Sequence, residues 1–347
     1  MGLALVERQL AEHICGVDVN QDNLDMALSA GAVHQAVALP EAVSGADLVI
    51  LAAPVGSTQH LLTEISRYLK PGAVVTDVGS TKEQVVKLAG EYISGGRFVG
   101  GHPMTGAETA GFSGADPYLF ENAFYLLTPT PATDTGALDT VRRVVQAIGA
   151  VVMEMSPLEH DLVTAAISHL PHFMAVSLVN AVAAMPVGEQ ALALAAGGFR
   201  DTTRIAAGSP NMWRDIFMSN SEQVLKALEY MHSAMDGLES ALRRQDAPKM
   251  MHILSNAGTI RKKLPLRTKG YLPHIFEVVV SVPDRPGVIA GLAGMLGEED
   301  INIVEIEILR AREGYGGTIR VGFAAAEEQD RAMKLFLARG LKCRPKV

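Results

Sequence analysis

Short apolar runs alternate with helical stretches through the first 155 residues, and this alternation is the feature that most constrains the fold. The runs are rich in Val, Ile and Leu and cover residues 14–19, 48–55, 73–79, 97–103, 123–129 and 150–155. Near-continuous apolar runs are typical of strands buried on both faces of a parallel sheet. The repeated strand–helix–strand order therefore predicts a doubly wound α/β domain.

The pattern changes twice further along the chain. Over 156–265, apolar residues recur at intervals of three and four, which predicts an all-α domain; its Ala and Met content favours close packing, as in a dimer interface. A basic linker is predicted over 266–273. The segment 274–347, with a Gly-rich hairpin at 314–317, has the order β-α-β-β-α-β of a ferredoxin-like α+β domain. The sequence thus predicts three domains, the first covering 1–155.

Composition excludes several classes of protein. The chain has 347 residues, 48% of them hydrophobic and 20% charged, which is the balance of a folded globular chain. Its net charge of −8 argues against nucleic-acid binding, because phosphate binding depends on an excess of Lys and Arg. Cys15 and Cys343 are too few for a disulfide framework and favour a reducing cytoplasm. The apolar run 173–185 contains polar residues, so it predicts a core helix and no membrane span.

One acid marks a candidate cofactor site. Asp18 ends the first apolar run, where dinucleotide-binding domains of the Rossmann type place an acid that binds the ribose hydroxyls of NAD. The alternative is an Asp that caps the next helix. The sequence contains no G-x-G-x-x-G, the glycine loop that binds the diphosphate. The segment from Met1 matches the helix that follows such a loop, so we expect the first strand and the loop to be missing.

Candidate catalytic residues follow two of the predicted strands. Ser80 follows the run at 73–79, at the strand end where open α/β sheets bind ligands, although a serine there could equally cap the next helix. His102 lies in GGHPMTGAETAGF, a loop too rich in glycine to be core, and a titrating imidazole fits that setting. His169 and His172 lie three apart on a predicted helix. No cluster of acids or thiols accompanies them, so we predict hydrogen-bonded core histidines and no metal site.

A charge cluster interrupts the apolar helical domain in AAGGFRDTTRIAAGSPNMW. Gly197 breaks a helix, and Arg200, Asp201 and Arg204 follow it. A forked guanidinium held there suits a substrate carboxylate. A salt bridge from either arginine to Asp201 is the alternative interpretation.

These motifs together resemble the prephenate dehydrogenase family. The resemblance rests on ILAAPV, TDVGSTK, VGGHPMTGAETAGFSGA, ISHLPH, GGFRDTTRIA and NMWRDIF, which occur in family order over nearly the whole chain. The segments PDRPGVIAGLAGML and DINIVEIEI resemble an ACT domain, a regulatory module that commonly binds amino acids. The resemblance implies a cytoplasmic homodimer that carries out the NAD-dependent oxidative decarboxylation of prephenate to 4-hydroxyphenylpyruvate. This reaction belongs to tyrosine biosynthesis, and feedback regulation by tyrosine is implied as well.

The resemblance also implies roles for individual residues. His102 corresponds to the catalytic histidine that bonds the substrate hydroxyl, and Ser80 to the serine that orients it. Asp18 corresponds to the acid that binds ribose. His169 corresponds to a substrate contact, and Arg204 to the arginine that grips a substrate carboxylate. Three more residues correspond to the lining of the same pocket: Gly197, Arg200 and Trp213.

The ACT-like segment has two candidate ligand contacts. Gly287 opens a helix after a tight turn, and the free backbone N–H groups there could bind the carboxylate of tyrosine. Asn302, at the start of the next predicted strand, could contact the same ligand. The alternative is a module that only dimerises, with Asn302 as a turn residue.

The sequence leaves two rival functions open. One is an arogenate-using or dual-specificity dehydrogenase, since no residue decides securely between a side-chain ketone and an amine. The other is a catalytically disabled amino-acid-binding regulator. The missing glycine loop favours that regulator, whereas the retained Ser80, His102, His169 and Arg204 argue against it.

Overall fold

The computed structural model divides the chain into two compact units, residues 1–270 and 271–347. The structure describes residues 1–106, 111–263, 276–283, 285–309 and 317–345. The predicted linker at 266–273, most of the Gly-rich hairpin and part of the loop that follows His102 therefore lie outside the described residues.

The first part of unit 1 alternates strands with helices, as the apolar runs predict. Its strands are β1 (Cys15–Gly16), β2 (Gln35–Ala36), β3 (Leu48–Leu51), β4 (Val74–Asp77), β5 (Phe98–Pro103), β6 (Phe124–Thr128) and β7 (Val151–Glu154). Its helices are α1 (Gly2–Glu7), α2 (Gln21–Ser29), α3 (Leu39–Gly45), α4 (Thr58–Ile65), α5 (Glu83–Tyr92) and α6 (Thr135–Ala147). The helix expected near Met1 is α1, which is the first element of the described residues.

The main sheet of unit 1 has the strand order β3-β4-β5-β6-β7, and β1 pairs with β2 in a separate two-stranded sheet. All of these pairs are parallel except β5 with β6, so β6 and β7 both run opposite to β3, β4 and β5, and the prediction of a parallel sheet is wrong for these two strands. Mixed sheets of this kind are common among α/β folds. Because β4 and β5 run parallel, the loops after Asp77 and after His102 meet at one edge of the sheet.

Local capping agrees with the sequence at one helix and differs at another. Asn20 and Ser57 are of residue types that favour helix N-caps, so the sequence predicts a cap at each. Asn20 does cap α2, since its side chain accepts a hydrogen bond from the backbone N–H of Asn23 at 3.2 Å. Ser57 stands at the N-cap of α4 but makes no capping bond with its side chain. Packing fixes α4 instead, because Leu62 and Ile65 are fully buried against β4 and α5.

The second part of unit 1 is helical, as predicted. Its helices are α7 (Pro157–Thr164), α8 (Leu170–Ala183), α9 (Gly188–Ala193), α10 (Gly197–Thr203), α11 (Pro210–Ser219), α12 (Ser221–Arg243) and α13 (Ala247–Lys263). A π-helical turn, Ala165–His169, joins α7 to α8; such turns occur often at functional sites. The stretch Pro157–Ala183 is long and apolar enough, by length and composition alone, to cross a membrane. It also contains His160, Asp161 and His169, which are buried and bonded within the unit.

Unit 2 is an antiparallel sheet with two helices. Its elements are β8 (Phe276–Ser281), α14 (Val288–Glu298), β9 (Glu305–Leu309), β10 (Thr318–Phe323), α15 (Ala326–Ala338) and β11 (Lys342–Pro345), and the strand order is β11-β8-β10-β9. The core lies between the sheet and the helices, where Val280, Leu292 and Phe336 are buried. The predicted strand over 301–311 begins later than expected, at Glu305, so Asn302 precedes the strand.

Candidate active site

A buried ion pair between Asp77 and Lys82 holds the loop between β4 and α5 in place. Lys82 is fully buried, and its ammonium pairs with the carboxylate of Asp77, which is itself 3% exposed. The same carboxylate accepts hydrogen bonds from the backbone N–H groups of Gly79 and Gly101, each at 3.0 Å. These bonds tie the loop that carries Ser80 to the end of β5. His102 lies within this strand and pairs with Leu126, so the prediction that places His102 in a loop is wrong.

The start of α5 is capped by a residue distant in sequence. The carboxylate of Asp161 accepts from the backbone N–H groups of Lys82 and Glu83, each at 2.8 Å. The N-cap of α5 is Lys82, and no side chain from its own segment caps it. The interpretation of Ser80 as the cap of this helix is therefore wrong, and its hydroxyl belongs to the loop surface beside the cavity described below.

A line of hydrogen bonds runs from His102 to Asp161. His102 Nδ1 lies 2.8 Å from His160 Nε2, and His160 Nδ1 lies 2.7 Å from Asp161 Oδ1. An ionised carboxylate only accepts, so His160 donates from Nδ1 and, when neutral, accepts at Nε2. His102 must then donate from Nδ1, which leaves the lone pair on its Nε2 free to accept a proton from another molecule.

Burial keeps both histidines of this line neutral. It lowers the pKa of His102 well below its usual value, and the neighbouring His160 and Lys82 act in the same direction. Burial also lowers the pKa of His160, although the hydrogen bond and charge of Asp161 oppose that effect. At neutral pH His102 is consequently an unprotonated base, which is the form a general base requires.

A cavity of about 300 Å³ lies at the sheet edge next to these residues. Its lining consists of Met1, Ala52, Val78, Ser80, His102, Pro103, Thr105, Leu119 and Phe120. The structure thus brings Ser80 and His102 together, as predicted, on the wall of a largely apolar space. Asp18 is not part of this lining; it is exposed just beyond β1, where Oδ1 accepts from the backbone N–H of Asn20 at 2.9 Å.

His169 anchors a second, aromatic cluster. It is 1% exposed, and its Nδ1 lies 3.1 Å from Nδ2 of Asn220. The ring of Trp213 meets the edge of His169 and stacks on His172, with ring centroids 6.2 Å and 3.5 Å away. A Cβ at Gly208 would lie 2.7 Å from Trp213 Nε1, so only glycine admits the indole in this position.

The remaining predicted residues lie on exposed surfaces. Gly197 and Arg200 belong to α10, and Arg204 follows it in a short 3₁₀ turn; all three are exposed. Arg200 Nε donates to the backbone oxygen of Ala195 at 3.1 Å. Among the described residues, no group of three or more His, Cys, Asp and Glu side chains could hold a metal ion.

In unit 2, Gly287 is the N-cap of α14. Its φ of 87° lies in the left-handed region that favours glycine, and no side chain caps the helix. Gly287 and Asn302 are both exposed.

Comparison with known families agrees with this arrangement. The model of the prephenate dehydrogenase nucleotide-binding domain matches residues 1–154, and that of the prephenate dehydrogenase dimerization domain matches 156–256. The chain belongs to the prephenate dehydrogenase family. The ACT domain model matches residues 276–332, so the chain is a prephenate dehydrogenase family member with an ACT domain.

Individual relatives are similar over most of their length. Prephenate dehydrogenase of Bacillus subtilis is 37% identical over 346 residues, which cover 98% of this chain and 92% of the relative. The structure of prephenate dehydrogenase from A. aeolicus in complex with hydroxyphenyl propionate and NAD+ is 33% identical; the match covers 76% of this chain and 93% of that one, with a TM-score of 0.73. Synechocystis arogenate dehydrogenase is 31% identical over 76% of this chain and 95% of that one, with a TM-score of 0.67.

The family is one of NAD-dependent oxidoreductases, and the described residues fit that cofactor at two places. The exposed carboxylate of Asp18 at the end of β1 suits the ribose hydroxyls. Asn20, not Asp18, caps α2, so the capping interpretation of Asp18 is wrong. The cavity beside His102 offers an apolar surface for a flat ring. The chain has no G-x-G-x-x-G, so these two places account for ribose and ring contacts only.

Several residues of this prephenate dehydrogenase family site were missed in the sequence. Asp77 and Lys82 are part of the motif TDVGSTK, and His160 and Asp161 lie shortly before the motif ISHLPH. Their polar side chains in apolar surroundings were a usable signal, because buried charges require partners. Asn220 gave no signal, since its partners come from other elements.

Proposed function

We propose that this chain catalyses the oxidative decarboxylation of prephenate with NAD, yielding 4-hydroxyphenylpyruvate. The observation that carries the proposal is the line of hydrogen bonds from His102 through His160 to Asp161, on the wall of the cavity that Ser80 also lines. This line leaves Nε2 of His102 as a proton acceptor. A base in this state can take a proton from a substrate hydroxyl. A buried carboxylate behind the line stabilises the imidazolium that results.

The proposed proton path balances without an outside acid or base. His102 Nε2 takes the hydroxyl proton while the carbon that bears the hydroxyl loses a hydride. A bound NAD would supply the acceptor for that hydride. The bond between the ring and its carboxylate then breaks, and carbon dioxide leaves. The electrons of that bond move through the ring to the carbonyl oxygen, and the ring becomes aromatic. The proton on His102 then returns to the oxygen, which gives the phenol and restores the neutral base. Ser80 orients the hydroxyl toward His102.

The activity is tested by following NADH absorbance when the purified protein meets NAD and prephenate. We expect turnover, with arogenate giving a smaller kcat/KM. Faster turnover of arogenate would establish the rival substrate, and no turnover in a folded sample would support the disabled regulator.

The pH dependence follows from the lowered pKa of His102. Because only the neutral ring accepts the proton, activity is lost when the pH falls through that pKa, which lies well below 6.5. We therefore expect kcat/KM to stay level as the pH falls from 7.5 to 6.5 and to decline only below that range. A profile that has already dropped by half at pH 6.5 would contradict a buried, neutral base.

Arg204 is proposed to hold a substrate carboxylate. The change Arg204→Gln removes the charge and keeps a donor, so we expect KM for prephenate to rise roughly 10- to 100-fold while kcat changes little. The exposed Arg243, which pairs with Glu239 on α12, offers a control in Arg243→Gln. An unchanged KM would instead support a salt bridge within the chain as the role of Arg204. Gly197, Arg200, Trp213 and His169 are proposed to complete this pocket.

We further propose that the ACT domain binds tyrosine through the backbone at Gly287 and the side chain of Asn302. The left-handed Gly287 and the uncapped start of α14 support a carboxylate site there. Adding tyrosine to the NADH assay should lower turnover. If an equilibrium binding measurement detects no tyrosine bound to the protein, the result would support an ACT domain that only dimerises.

The proposed assembly is a cytoplasmic homodimer. A family model named for dimerization matches the helical domain, and the exposed faces of α12 and α13 carry large apolar side chains. They include Leu225, Tyr230, Leu242, Met251 and Leu254. We propose the domain limits 1–155, 156–265 and 274–347, with a linker at 266–273.

A further inference from the structure

Asn220 lies between the two histidine clusters of the site. It is the residue between α11 and α12 and is 3% exposed. Its Nδ2 donates to the backbone oxygen of Asp161 at 2.9 Å and lies 3.1 Å from His169 Nδ1. One amide nitrogen thus joins the segment that supports His102 to the ring of His169.

The first of these bonds fixes the orientation of the amide. A backbone carbonyl oxygen only accepts, so the group facing Asp161 is the NH₂ of Asn220 and not its oxygen. That nitrogen carries two hydrogens, and the second is directed to His169. Nδ1 of His169 must then accept, and a neutral ring that accepts at Nδ1 holds its hydrogen on Nε2.

We infer that Asn220 is a positioning residue that holds His169 as the Nε2–H tautomer, so that His169 serves the substrate as a neutral hydrogen-bond donor. The role of His169 toward substrate rests on the proposed function. The two histidines are then complementary: His102 accepts at Nε2, and His169 donates from Nε2. Prephenate offers one hydroxyl donor to the first, and carboxylate or ketone oxygens to the second.

The surroundings of His169 keep its ring neutral, as this role requires. Burial lowers its pKa to about 4; the charge of Asp161 on α7 opposes that shift, while His160 and His172 add to it. Trp213 from α11 contributes an aromatic edge without charge. The ring of His169 therefore carries one hydrogen and not two, so its Nδ1 can accept the hydrogen bond from Asn220.

The tautomer is measured directly by nitrogen NMR of the free protein labelled with ¹⁵N-histidine, with His169→Gln identifying the His169 signals. We expect a protonated Nε2 and an unprotonated Nδ1 at pH 7. In Asn220→Asp the carboxylate faces Nδ1, so we expect Nδ1 to become protonated. The control Asn256→Asp makes the same chemical change at an exposed position of α13 and should leave the His169 signals unchanged.

The second readout is kinetic. Asn220→Asp should raise KM for prephenate roughly tenfold, and Asn220→Ala, which introduces no charge, should leave His169 as a mixture of tautomers. An Nδ1–H ring in the wild-type protein would overturn the inference, and this measurement needs no variant of Asn220 to fold. Because it also needs no turnover, an Nε2–H ring in a protein that forms no NADH from prephenate would overturn the proposed function alone.

Discussion

Replacing His102 by Asn is expected to lower kcat by about 10²–10⁴-fold. The amide can still donate toward His160, but it has no basic nitrogen to take the hydroxyl proton. KM should change much less, since the cavity keeps its shape. Steady-state NADH formation with saturating prephenate and NAD measures the effect.

The matched control is His60→Asn on the exposed face of α4, which should keep wild-type kcat. Near-normal turnover in His102→Asn, with circular dichroism unchanged, would remove His102 from the role of base. A loss of the same size in both variants would point to a general fault in folding.

The second large effect concerns stability. Lys82→Met is expected to lower the free energy of unfolding by about 3–5 kcal/mol, because it leaves the carboxylate of Asp77 buried without its counter-charge. Urea unfolding followed by circular dichroism measures the change. Loss of the ion pair should also loosen the loop that carries Ser80.

Two comparisons isolate the buried charge as the cause. Lys226→Met breaks an exposed pair with Glu222 on α12 and should cost no more than about 0.5 kcal/mol. The double variant Asp77→Asn with Lys82→Met removes both charges and should be more stable than Lys82→Met alone. A double variant that is less stable would contradict this account of the ion pair.

The sequence predicted the architecture because its apolar runs have clear periods. Strand β3 is a continuous run of half-buried apolar residues, and the helical spacing after residue 156 is sustained. The reversed direction of β6 and β7 was missed because a run of apolar residues looks the same in either direction. Strand β1 lies within the predicted run 14–19, whereas β2 was missed because its two residues are too few for any period to show.

The sequence predicted only those site residues that belong to a short continuous motif. Ser80 follows β4 and His102 lies near the end of β5; because the carboxyl ends of these two parallel strands meet, the proximity of the two residues follows from the topology. Asp161 caps α5 from 78 residues away and Asn220 reaches His169 from 51 residues away, and no local pattern encodes such contacts. Long-range polar bonds depend on tertiary packing, which the period of apolar residues does not specify.

The most direct test of the central claim is the stoichiometry of the reaction. Purified protein is given NAD and a limiting amount of prephenate, and NADH, carbon dioxide and 4-hydroxyphenylpyruvate are measured in the same sample. The account predicts equal amounts of all three, because each turnover gives up one hydride and releases one carbon dioxide as one product molecule forms. NADH formed without an equal amount of carbon dioxide would contradict the proposed reaction.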